Sequence, residues 1–349
     1  MTIDPRFLHR APELAERLVA PDAGEAFSPA GGGPGWVGLD LESGAETLSA
    51  EAGRRLKDQL PILPCVTIAL GAEGLDEATA QRLAGLCDVV VPDRDALALL
   101  LRGFERTPIA ALAFVQLLRA APRASLYEGL LAESFVYSML QSGREFQHWL
   151  DGRAPRRSRR SDAESGAPCR IERDRGRLDI RLSRPDRHNA FSRAMRDALC
   201  EALQLASADP SIEEIVLSGE GPSFCSGGDL DEFGSFPDPA EAHAIRTTRS
   251  PALLITRLAG RLRSEVQGAC IGAGVELPAF GRHVRASEDA FFALPEVGLG
   301  LVPGAGGTAS LPPRIGRQRT AWLGLSGARI DARTALSWGL VDEVRLVQH

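Results

Sequence analysis

Lysine is almost missing from this chain: Lys57 is the only one among 40 basic residues. Arginine carries the rest of the positive charge, and acids outnumber bases to leave a formal net charge of -6. That balance argues against a nucleic-acid binder, which needs a basic surface to meet phosphates. No apolar run approaches the roughly 18 residues of a membrane-spanning helix. The start, MTIDPRFLHRAPELAERL, is too charged for a secretory leader. No membrane partner is therefore expected, and the expected compartment is the cytoplasm. The six cysteines (Cys65, Cys87, Cys169, Cys200, Cys225 and Cys270) show no CxxC or Cys/His ligand spacing. This excludes the usual zinc frames and leaves reduced, buried thiols as the expectation. What is present is ordinary for a globular chain: 349 residues, 44% hydrophobic and 25% charged, with room for two domains.

The chemistry-bearing stretch runs from Pro222 to Thr308. EEIVLSGEG reads as a strand entering the crowded turn SFCSGGDL, and IGAGVELPAF as a glycine-rich turn opening a helix. Amides in a first helical turn lack intrahelical acceptors and lie at the positive end of the helix dipole. Those of Gly228 and Ala273 can converge on one carbonyl oxygen and stabilise negative charge developing there. Glu276 falls within the first turn after Ala273. Glu296 sits in a Leu-Pro-Glu turn with apolar neighbours, where burial would raise a carboxyl toward useful acid–base values.

Taken in order, RPDRHNAFS, FCSGGDL, GAGVEL, LPEVGLGLVPGAGGT and ALSWGLVDEV resemble the enoyl-CoA hydratase/isomerase (crotonase) superfamily, from roughly Cys169 to the C-terminus. The resemblance implies an α/β fold with a ClpP/crotonase-like ββα spiral core. It implies an oxyanion hole from the Gly228 and Ala273 amides, with Glu276 and Glu296 as catalytic acid and base. Ala273 departs from the family, where glycine is usual; a backbone donor tolerates this, but the methyl takes room beside the thioester. Coenzyme A contacts are implied for His188, Asn189 and Ala190, mainly through their backbone, and for Ser226, Asp229, Leu230, Asp231, Gly272 and Gly274. Asp229 also reads as a cap after the oxyanion turn. His188 is not a candidate base, since no Ser or Cys nucleophile has a fitting context. No metal or separate cofactor is implied, coenzyme A being part of the substrate. The implied partner is a second copy of the chain, as a trimer or hexamer.

The first half has its own pattern. Residues 1–35, with the breaker cluster FSPAGGGPG, read as a flexible lead-in. Strand and helix patterns then alternate to DVVV. Three helices follow: DRDALALLLRGFER, PIAALAFVQLLRAA and SLYEGLLAESFVYSMLQSGREFQHWL. Self-comparison aligns LSAEAGRRL with FSRAMRDAL, IALGAEG with IVLSGEG, and LDEATAQRLAGLCDVV with IDARTALSWGLVDEV. Residues 36–150 thus read as a degenerate second copy, lacking the counterpart of 222–329 and ending in helices. An arginine-rich linker (151–168, with Arg153, Arg156, Arg157, Arg159 and Arg160) joins it to a catalytic core at 169–349. Family members continue past the GLVDEV-like strand into three helices, and helices of that kind lie here within 93–150. They are expected to cover the second copy's active site, in the same chain or a neighbour. The stripe Leu126, Leu130, Phe135, Met139 and Phe146 would partly line the pocket; the alternative is that it is the core of an independent domain.

Three activities fit. The first is hydration or dehydration of a 2-enoyl-CoA. The second is another reaction through the same enolate: isomerisation, decarboxylation, thioester hydrolysis or cofactor-free dioxygenation of an arylacetyl-CoA. The third is acyl-CoA binding without catalysis.

Overall fold

A computed structural model describes residues 4–42, 48–71, 78–153, 166–235 and 238–345. In the first half, β1 (Leu8–His9), α1 (Ala11–Arg17), α2 (Ala23–Phe27), β2 (Trp36–Asp40), α3 (Ala50–Gln59), β3 (Val66–Leu70), α4 (Ala78–Leu86) and β4 (Val89–Val91) follow one another. The four strands form one parallel sheet in chain order. Both faces are covered, as parallel sheets require. Along β3, Val66, Ile68 and Leu70 join the main core, while Ala69 joins a smaller cluster with Leu14, Phe27, Leu56 and Leu83.

The expected flexible lead-in is therefore a folded part of this half. Leu14 and Phe27 are buried and β1 pairs with β2. The glycine run serves close approach: a Cβ at Gly31 or Gly33 would overlap the carbonyl oxygens of Glu25 or Ala26 at the end of α2. A breaker cluster reads the same in sequence whether its glycines loosen the chain or let two backbones touch.

Four helices come next: α5 (Arg94–Phe104), α6 (Pro108–Ala120), α7 (Leu126–Gln141) and α8 (Arg144–Asp151). The sequence reading ran α7 and α8 together, but the helix stops at Ser142 and restarts after Gly143. Of the linker arginines, only Arg153 lies within the described residues; it stacks on Trp149 and donates to the Leu230 carbonyl at 2.6 Å.

The second half opens with the hairpin β5 (Cys169–Asp174) and β6 (Arg177–Leu182), then α9 (Arg193–Ala208) and β7 (Glu214–Gly219). Two helices follow, α10 (Pro239–Thr248) and α11 (Pro251–Leu258). Pro251 has no amide to continue the first, and the Ser250 side chain caps the second. Then come β8 (Leu262–Val266), β9 (Ala269–Ile271), α12 (Ala273–Glu276), β10 (His283–Ser287) and β11 (Phe291–Ala293). The chain closes with α13 (Gly307–Ile315), α14 (Arg317–Ser326), β12 (Ile330–Asp331), α15 (Ala332–Trp338) and β13 (Glu343–Arg345). One sheet has the order β13-β10-β8-β7-β6-β5, the other β12-β11-β9. Successive strands β8 and β9, then β10 and β11, each place one strand in either sheet, which winds the chain as an α/β ββα spiral.

The halves share one core. The main cluster runs from Ile68, Phe104 and Phe114 through to Leu178, Ile215 and Phe292. Helices α5 and α6 pack on α14, and α7 packs on α10 and α13 of the same chain. Buried Asp88, just before β4, accepts from Arg119 of α6 at 2.8 Å and from Arg317 of α14 at 3.0 Å, tying the halves by charge. Among the described residues no helix is long and apolar enough to cross a membrane.

Candidate active site

Two turns are held side by side by a single bridge. Cys225 and Cys270 pair in parallel, Ile271 donating to the Cys225 carbonyl at 2.9 Å and Cys225 to that of Ala269 at 3.1 Å. Gly228 and Ala273 each lie three residues beyond a member of that pair, so one register sets both. Neither amide has an acceptor among the described residues. Gly228 must be glycine because the Phe233 ring covers it, 2.6 Å from where a Cβ would stand. Gly272, just before Ala273, has φ +52° and lies against Glu296; a Cβ there would overlap Oε1 of that carboxyl. Left-handed backbone and lack of space both demand glycine.

The two glutamates sit differently. Glu276 ends α12 and is 2% exposed; its Oε2 accepts from the amides of Ala305 and Gly307, both at 2.8 Å. Burial, then the charges of Glu296 and Glu133, push it well above the usual carboxylate range, against the pull of those amides. Glu296 opens the turn after β11 and is half-buried as a residue. Its Oε2, however, is shielded from solvent and has no partner among the described residues. Burial, with a contribution from Glu133, pushes it up to about 7. Two neighbouring carboxyls raised in this way can exchange protons as an acid–base pair.

A cavity of about 230 Å³ joins these groups. Gly228, Asp229, Ala273, Glu276 and Glu296 are in its wall, with Phe191, Phe233, Ile245, Leu253 and Leu277 as apolar lining. Helix α7 closes it with Leu130, Glu133, Ser134, Tyr137 and Gln141. The stripe expected to do this is corrected. Of its members only Leu130 lines the cavity; Phe135 and Met139 are 56% and 57% exposed, and Phe146 is buried in α8, stacked on Trp149. At about 100° per residue, Phe135 lies roughly 140° around the helix from Leu130. The true face carries polar residues, so a search for apolar spacing passes over it.

The expected coenzyme contacts are spread out. Asp229 reaches the cavity wall but is also paired with buried Arg184 at 2.9 Å and caps the next turn through the Asp231 amide. Asn189 is fully buried, accepting from the Arg184 amide and donating to the carbonyls of Glu220 and Ser223, so its side chain holds the loop together and is not open to a ligand. His188 meets Ser223 at 3.0 Å, and the Ala190 carbonyl accepts from Arg184. Asp231 pairs with Arg187, and Leu230 is 44% exposed. The Ser226 amide donates to the His188 carbonyl, joining the two loops. Gly274 is packed against the Cys225 carbonyl.

Sequence reasoning missed Glu133, Tyr137 and Arg246. Glu133 is 2% exposed and accepts from the amides of Gly306 (2.7 Å) and Thr308 (2.8 Å) and the Thr308 hydroxyl (2.6 Å). Burial pushes it up to about 7, the Thr308 hydroxyl opposing first. Arg246 spans α10 to α7, donating to Ser134, Ser138 and Gln141, with its guanidinium 4.4 Å from the Tyr137 ring centre. Burial pushes the Tyr137 hydroxyl up to about 12. The available signal was a lone carboxylate in the apolar run GLLAESFVYSML.

The sequence model of the enoyl-CoA hydratase/isomerase family matches residues 172–347, and the chain belongs to that family. It is 34% identical over 175 residues to 1,2-epoxyphenylacetyl-CoA isomerase of Escherichia coli K12, covering 49% of this chain and 67% of that one. It is equally similar, 34% over 175 residues, to 2,3-dehydroadipyl-CoA hydratase of the same organism (50% and 68%). Among solved structures, an enoyl-CoA hydratase of Mycobacterium smegmatis is 33% identical over 51% of this chain and 70% of its own, with a TM-score of 0.48. The family model thus covers the second half of the chain.

Proposed function

We propose that this chain adds water to, or removes it from, a 2-enoyl-CoA or a related acyl thioester. The observation that carries this is two acceptor-free amides and two buried carboxyls in the wall of one cavity. The thioester oxygen takes both amides, which draws electrons from the alkene and stabilises the enolate formed on attack. Glu296, the carboxyl with the unpartnered oxygen, removes a proton from water as its oxygen bonds to Cβ. Glu276, held protonated, delivers a proton to Cα. Passing the proton from Glu296 to Glu276 afterwards completes the addition of one water. The reading needs no metal or redox cofactor; coenzyme A enters as part of the substrate.

The test is to mix the protein with crotonyl-CoA in H₂¹⁸O and follow the enoyl absorbance and product mass. Loss of the enoyl band with one ¹⁸O at C3, abolished in Glu296→Gln, is the expected result. Saturable binding with no turnover of any acyl-CoA would overturn it. A second reading, double-bond isomerisation, is favoured by the asymmetry of the pair: Glu276 is pinned by two amides while one oxygen of Glu296 is free to shuttle a proton between carbons. A shifted alkene without ¹⁸O would select it.

We also propose that residues 36–150 are a truncated copy of the catalytic core. Asp88 and Asp342, aligned in GLCDVV and GLVDEV, support this. Each accepts the amide of the neighbouring strand (Thr67 at 2.9 Å, Val284 at 2.7 Å), returns its own amide to that residue's carbonyl, and meets an arginine from a helix, Arg119 or Arg314. Between β7 and β13 stand β8 and β10; β4 instead pairs directly with β3, as excision of that segment would leave it.

A further inference from the structure

Glu133 has no part in the proton transfers above, yet it shares a support with Glu276. Four successive amides leading into α13 alternate between the two carboxylates. Ala305 and Gly307 donate to Glu276, and Gly306 and Thr308 donate to Glu133. The two glutamates, from opposite halves of the chain, thus grip one strip of backbone. The strip lies at the positive end of a helix whose own N-cap, Gly306, offers no side chain.

We propose that Glu133 is a positioning residue for Glu276: across the 305–308 strip that both carboxylates grip, its negative charge faces the acid and keeps the acid's proton in place, making helix α7 part of the acid–base apparatus. This rests on the acid role given to Glu276 under the proposed function. Around Glu133 stand Glu276 on α12, Glu296 after β11, Arg246 and His243 on α10, Tyr137 on its own helix and Thr308 on α13. His243 reaches this group only through Ser134, at 2.9 Å. Charge on Glu133 opposes ionisation of both Glu276 and Glu296, while Arg246 favours ionisation of Glu133 itself.

The test is carried out on the full chain with ¹³C-carboxyl-labelled glutamate, the Glu276 resonance being assigned by its loss in Glu276→Gln. Glu133→Gln removes the charge and should lower the Glu276 titration midpoint by about one pH unit. Glu133→Asp, which keeps the charge, should restore most of it. Thr308→Val leaves the amide bonds intact and removes only the hydroxyl that favours a charged Glu133; it should move the midpoint the same way by less, and serves if Glu133→Gln does not fold. With an acyl-CoA that turns over, Glu133→Gln should lower kcat and move the alkaline limb of its pH profile downward, with KM little changed. A Glu276 midpoint that stays put or rises in the folded variants overturns the proposal. A midpoint that moves in a protein turning over no acyl-CoA would leave it standing while removing the hydratase reading.

Discussion

Glu296→Gln should make the protein worse at chemistry and better at staying folded. The Oε2 of Glu296 has no donor among the described residues, and burial moves its titration from 4.5 to about 7. Between those values the folded protein keeps a proton that the unfolded chain has released, so stability falls as pH rises through the window. Each unit is worth about 1.4 kcal/mol, giving about 3 kcal/mol over the whole window. Above pH 7 the wild type bears that loss in full, whereas the neutral amide never does. The variant should therefore outlast the wild type in urea at pH 8 by about 3 kcal/mol, or roughly 5 °C in Tm. The gain should shrink below pH 7 and vanish near pH 4.5. Turnover should fall by about 10²–10⁴ at the same time, which is about 3–5 kcal/mol of transition-state stabilisation. Urea melts at pH 8 and pH 5, beside crotonyl-CoA kinetics, read both effects. A variant less stable at pH 8, or stabilised equally at both pH values, would refute the idea of an unpartnered buried carboxyl.

Gly272→Ala adds one methyl where the Glu296 carboxyl already sits, on a residue with φ +52°; turnover should drop at least 10²-fold, as for loss of an acid–base group, and binding of a non-reactive acyl-CoA should survive. Asp88→Ala leaves Arg119, Arg317 and the Thr67 amide without their shared acceptor. Denaturant melts should show a loss of about 3–5 kcal/mol, and a loss under about 1 kcal/mol would mean this cluster does not tie the halves together.

The parts of the site legible in the sequence are those built from neighbours in the chain. A small-residue turn at Gly228, another at Gly272–Ala273 and a glutamate three residues later can be read locally, because steric crowding and helix spacing act locally. The same holds for Ser49 and Ser192, aligned by self-comparison and both capping helices through their side chains. What escaped depends on distance or on an ambiguous signal. Glu133 meets Gly306 and Thr308 across about half the chain, and nothing near it in sequence announces that partner. Asn189 stands in a motif the resemblance links to coenzyme A, yet its side-chain hydrogen bonds are spent tying its own loop to the Glu220–Ser223 loop.

Among its described residues the first half has no counterpart of the turns at Gly228 and Ala273, yet it bears on the proposed chemistry through the walls it supplies. For Glu276, Glu296 and Glu133 alike, burial is the leading cause of the upward shift, and α7 forms one wall of the cavity they share. A carboxyl in water titrates near 4 and is a poor proton donor at neutral pH. Helix α7 sets Leu130 and Tyr137 in the cavity wall, and Arg246 clamps the helix to α10 through Ser134, Ser138 and Gln141. In the proposed reaction the acid–base work of the second half thus depends on the first, whose α5, α6 and α7 share one core with the spiral.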